Sequence, residues 1–94
     1  MFTITIDVLV TILHEKYESL VEQEDQLLTS LRTTTAYENA IFQITHEQAA
    51  EIDLPTAERI IDKIHEYTEE LRLDLLYVRL EKSHVAGMLK LTAF

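Results

Sequence analysis

From Pro55 to Thr92 the chain keeps one side chain per turn on a single seam. Ala57, Ile61, Ile64, Thr68, Leu71, Leu75, Val78, Lys82, Val85 and Leu89 follow in alternating steps of four and three, with Thr68 and Lys82 the polar interruptions. An α-helix turns once every 3.6 residues, so this spacing sets all of them on one face. A seam of this kind is built to lie along another helix, in the manner of a coiled coil. Asp53-Leu54-Pro55-Thr56 marks the start, because Pro is tolerated only in a first helical turn and Asp53 or Thr56 can cap. The spacing therefore predicts a long helix over about 55–86, with 92 its furthest end. Gly87 weakens the last turns by about 1 kcal/mol relative to Ala.

The first third of the chain repeats the pattern. Ile6, Val10, Leu13, Tyr17, Leu20, Glu24, Leu27 and Leu31 take the same steps, and Val21 and Leu28 widen the stripe. This predicts a helix over about 4–32. Phe2, Ile4, Ile6, Val8 and Val10 also alternate with period two, so a half-buried strand over the first ten residues competes with the helix start. Thr33, Thr34 and Thr35 are poor helix-interior residues and good caps, and they predict an end to the first helix. Thr35 with Glu38, and Thr45 with Gln48, both match the capping-box spacing. The section 35–53 is accordingly expected to be a short helix or two, or irregular. The fold class predicted is all-α. It is a long antiparallel helical hairpin with one or two short intervening helices, three or four in all, in a single domain over 1–94.

Composition limits the alternatives. With one Gly and one Pro the chain lacks the turn chemistry for many short strands. Helices of thirty residues or more span about 45 Å, long for a compact chain of this size, whose radius of gyration would be about 12–13 Å. A second copy covering the exposed seams is the economical solution, so a homodimer or larger helical assembly is expected. There is no cysteine, hence no disulfide scaffold or thiolate chemistry. Met1 to Leu13 carries Asp7 and no basic residue and is too short to cross a bilayer. The expectation is a cytoplasmic chain with no membrane span.

Seventeen acidic residues face eight basic ones, and eight of the nine net negative charges fall in the first 54 residues. Direct binding to nucleic-acid phosphates is disfavoured, since it needs clustered Lys and Arg. Glu15, Glu18, Glu22 and Asp25 form one acidic stripe, and Asp62, Glu66, Glu69 and Glu70 with Glu58 another. Such a stripe is a docking face for a basic surface, or a solvated face neutralised by Arg72 and Arg79 across the hairpin. Val85, Met88, Leu89, Leu91 and Phe94 make an apolar end that either packs on Phe2, Ile4 and Ile6 or serves another chain.

Two H-E-x-x-E patterns, at His14 and His65, invite a metal reading. Asp62, His65 and Glu69 would be the ligands, joined by Glu15 or Glu18 of a second chain, because a simple hairpin sets His14 near residue 80, roughly 22 Å from His65. Neither pattern carries the second His of a zinc protease. No Gly-rich loop and no nucleophile-elbow serine is present, so no enzyme activity and no cofactor are expected. The expected function is protein–protein interaction by helix-face docking, as in an adaptor, chaperone, immunity or regulatory protein, with the partner's identity open. The seam would supply affinity and the acids Glu15, Glu18, Glu22 and Asp25 orientation. A metal-binding helical protein is the alternative. An acidic inhibitor that imitates nucleic acid is a third, which would need two rows of carboxylates at phosphate-like spacing.

Overall fold

The computed structural model describes residues 5–93. Two helices make up the fold: α1, Ile6–Glu47, and α2, Leu54–Leu91, run antiparallel along their whole lengths. The result is a rod of 71 × 19 × 19 Å with a radius of gyration of 21.0 Å. The all-α hairpin expectation holds. The expectation of three or four helices does not, because α1 runs without interruption through the section assigned to short intervening helices.

The Thr33–Thr35 run explains the difference. A Thr hydroxyl serves either as a cap for free amides or as a donor to a carbonyl one turn back, and only the second choice lets a helix continue. Here all three donate backwards: Thr33 to the Thr29 carbonyl at 3.0 Å, Thr34 to Leu31 at 2.9 Å, and Thr35 to Leu31 at 3.2 Å. The four-three seam of α1 then carries on through Thr34, Glu38, Ile41 and Thr45, each buried or half-buried while most of their neighbours are exposed. Neither capping-box match starts a helix. The caps that form are Thr5, whose hydroxyl accepts from the Val8 amide, and Asp53, whose carboxylate accepts from the Thr56 amide and hydroxyl. Residues 6–10 are helical; the remainder of the strand alternative, at Phe2 and Ile4, lies outside the described residues.

The helices are joined by residues 48–53. The Gln48 amide bonds back to the Ile44 carbonyl, and the Glu51 and Ile52 amides bond to Gln48. The turn forms without glycine, and no described residue has a positive φ. Gly87 lies inside α2 and leaves it unbroken.

The two seams face each other. Leu20, Val78 and Val85 form a core cluster, with Leu13, Tyr17, Leu27 and Leu89 packed against it. Leu71 and Leu75 are buried further along. Thr34 and Thr68 are buried on the two seams, and each hydroxyl is held by its own helix, Thr68 donating to Ile64 at 2.8 Å. No buried side-chain polar atom among the described residues lacks a partner. The polar seam residues Glu24 and Lys82 meet directly. Glu24 accepts from Lys82 at 2.9 Å and from Arg79 at 3.0 Å, and Lys82 also stands 5.9 Å from the centre of the Tyr17 ring. A charged cluster inside an apolar seam favours one register over its alternatives, since a slip would leave half-buried charges unpaired.

Candidate interaction surface

Because the seams close on each other within one chain, any docking surface lies on the outer faces of the rod. The two outer faces differ in kind. On α1, the outward positions between the seams hold Glu15, Glu18, Glu22 and Asp25, all exposed. None of the four forms an ion pair with a described residue. The neutralisation expected from α2 goes elsewhere. Arg79 is taken by Glu24 on the seam, and Arg72 by Glu69 on its own helix at 2.8 Å. No ion pair with a described residue offsets the acids of the α1 edge.

On α2, the acids Glu58, Asp62, Glu66, Glu69 and Glu70 are interleaved with Arg59 and Lys63, and Lys63 pairs with Glu66 at 3.2 Å. That stretch is a mixed polar surface rather than an acidic one. Asp62, His65 and Glu69 line one shallow open depression on it together with the cations Arg59 and Lys63. No three His, Asp or Glu side chains among the described residues converge as a metal would require. The late turn also alters the pairing of the two His motifs. His14 is level with about Met88 rather than residue 80, which puts it roughly 35 Å from His65 along the rod.

The apolar end divides. Val85 is buried and Leu89 half-buried in the hairpin core, with Leu13, Tyr17 and Leu20, while Phe2 and Ile4, two of the partners expected for this end, lie outside the described residues. Met88 is half-buried, Leu91 is exposed, and Phe94 lies outside the described residues.

Beyond the turn-proximal polar stretch, the outward face of α2 becomes apolar. Leu73, Leu76, Tyr77 and Leu80 are 47%, 61%, 58% and 69% exposed. Steps of three, one and three put them on one side of the helix, turned away from α1. They form a second stripe that the seam does not use. The signal for it was in the sequence. Leu71, Leu73, Leu75, Leu76, Tyr77, Val78 and Leu80 crowd ten positions, about twice the apolar residues that one seam consumes per turn. Charges flank this stripe unevenly. Arg72 and Arg79 lie on one side and Glu70, Asp74 and Glu81 on the other. Their contacts mark the two sides, as Arg79 reaches Glu24 while Glu81 meets Lys16 at 3.9 Å.

A groove of about 500 Å³ runs along the hairpin nearer the turn, where Thr34 and Thr68 thin the seam. Thr29, Ser30, Thr33 and Lys63 line it, with Tyr37 and Tyr67 as its aromatic walls. No helix among the described residues is long and apolar enough to cross a membrane. Comparison with protein-family models, with curated proteins and with solved structures gave no match.

Proposed function

We propose that this chain is a non-catalytic protein–protein interaction module that works by helix-face docking. The observation that carries the reading is the exposed stripe Leu73, Leu76, Tyr77 and Leu80 on a rod whose other apolar seam is already closed. Apolar area aligned along a rigid helix supplies affinity, and charged neighbours suppress wrong partners and set orientation. The acidic edge of α1, with Glu15, Glu18, Glu22 and Asp25 unpaired among the described residues, fits the second role toward a basic region of a partner. Affinity is thus assigned to the outer face of α2, and orientation to the outer face of α1. An adaptor, chaperone or regulator acts in this way.

Photo-cross-linking in the native cells tests the reading. With a benzophenone amino acid in place of Tyr77, covalent adducts to protein, a second copy included, are expected. The same group in place of Gln43, on the outward face of α1 near the turn, is expected to give few. Adding Glu18→Lys with Glu22→Lys should lower adduct yield to a foreign partner several-fold while helicity stays unchanged, because both positions are solvent-exposed. An absence of adducts from Tyr77 above those from Gln43 would contradict the proposal.

A further inference from the structure

The geometry points to a second copy of this chain as the occupant of the α2 outer stripe, in a parallel two-fold pair. The inference rests on the docking role proposed for that stripe and names its partner. Three observations lead there.

The rod exposes more surface than a chain of its mass normally leaves bare. Its accessible area is 7592 Å², against about 5,600 Å² for a compact monomer of 10.9 kDa. The excess of about 2,000 Å² exceeds the roughly 800 Å² per partner of a standard interface. Covering the stripe would bring the chain toward ordinary globular economy.

Charge then selects the face. A copy approaching through α1 would set Glu15, Glu18, Glu22 and Asp25 against their own counterparts, and like charges so placed cost affinity. Pairing through α2 puts the two α1 edges on the outside. At 8–10 Å per helix spacing they stand about 25–30 Å apart, several Debye lengths at physiological salt.

The flanks of the stripe select the orientation. When two helices pair in parallel about a two-fold axis, the left flank of one meets the right flank of the other. When they pair antiparallel, like flanks meet. The flanks here are basic, Arg79 together with Arg72, the latter bonded to Glu69 of its own helix, and acidic, Glu70, Asp74 and Glu81. Parallel pairing sets arginines against carboxylates on both sides of the interface, whereas antiparallel pairing sets arginine on arginine and carboxylate on carboxylate. Arg79 uses only its Nε toward Glu24, which leaves the terminal guanidinium N–H groups for a partner carboxylate. Both turns then lie at the same end, and the assembly stays as long as one rod.

The absence of native cysteine gives a clean test. In a parallel pair the central stripe residues Leu73 and Leu80 each meet their own copy, so Leu73→Cys alone and Leu80→Cys alone should each form a disulfide-linked dimer on mild oxidation. In an antiparallel pair residue 73 would face residue 80, and only a mixture of the two variants would cross-link. Sedimentation velocity of the untagged wild type should show a dimer, and Leu76→Glu with Leu80→Glu should raise its dissociation constant at least about 100-fold with helicity retained. Cross-linking of the mixture but of neither single variant would overturn the parallel orientation. A wild-type monomer up to several hundred micromolar would overturn self-association altogether, while adducts from Tyr77 to a foreign protein would leave the docking role standing.

Discussion

Leu20→Ala is expected to lower the unfolding free energy by about 2–5 kcal/mol and the melting temperature by at least about 10 °C. Leu20 is the one large side chain with no solvent exposure among the described residues, and it forms the core cluster with Val78 and Val85 of the facing seam, against which Leu13, Tyr17, Leu27 and Leu89 pack. Truncation removes its transfer energy and leaves a cavity in the centre of that cluster. A chain of this length has about 5–14 kcal/mol in total, so the loss is a large share of it. Ile44→Ala, at an exposed position of the same helix, should change stability by about 0.5 kcal/mol at most. Thermal melts followed by circular dichroism compare the two. Equal effects would mean that the seams do not pack as described.

The second large effect is expected at the charged layer of the seam. Glu24→Lys would gather three cations where Lys82 and Arg79 now share one carboxylate, and cooperative melting at neutral pH should be lost. Adding Lys82→Glu to the same chain should restore most of it, since the reversed pair satisfies the same layer. The pH dependence follows from the same contacts. The Lys82 hydrogen bond, and after it that of Arg79, holds the Glu24 carboxyl below its ordinary value. The Glu24 hydrogen bond raises Lys82 above its own. A depressed carboxylate contributes stability that is complete above its unfolded value, about 4.3, and is lost as pH falls through the lower folded value. A raised lysine contributes stability that is complete below about 10.4 and is lost as pH rises through the higher folded value. The stability difference between wild type and Glu24→Gln should therefore be flat from about pH 6 to 9 and shrink below about pH 4. A difference that grows toward acid would refute the pairing.

Much of the hairpin was legible because the seam residues do in the fold what their spacing says. Ala57 through Leu89 and Leu13 through Leu31 are the buried and half-buried positions of the two helices. The break at Thr33–Thr35 was misread because a Thr hydroxyl caps or back-bonds with nearly equal ease. Local chemistry does not decide between them, whereas packing of Thr34, Ile41 and Thr45 against α2 does. The turn was hidden for a related reason, since residues 48–53 reverse the chain without glycine or a left-handed residue. Its late position shifted the register, and with it the partners expected for His14 and for the arginines. The outer stripe at Leu73, Leu76, Tyr77 and Leu80 was visible as an excess of leucine. A single-seam reading absorbed it into α2 and offered the apolar end Val85, Met88, Leu89, Leu91 and Phe94 for docking, of which the core uses Val85 and Leu89.

Small-angle X-ray scattering of the untagged protein tests the central claim most directly, that one continuous pair of long helices forms an extended rod. The rod predicts a radius of gyration near 21.0 Å and a length near 71 Å. Pairing in parallel through α2 should leave that length nearly unchanged while the cross-section grows. A monomer with a radius of gyration of about 12–13 Å, the value for a compact chain of this length, would contradict it, because α1 would then have to break and fold back on itself.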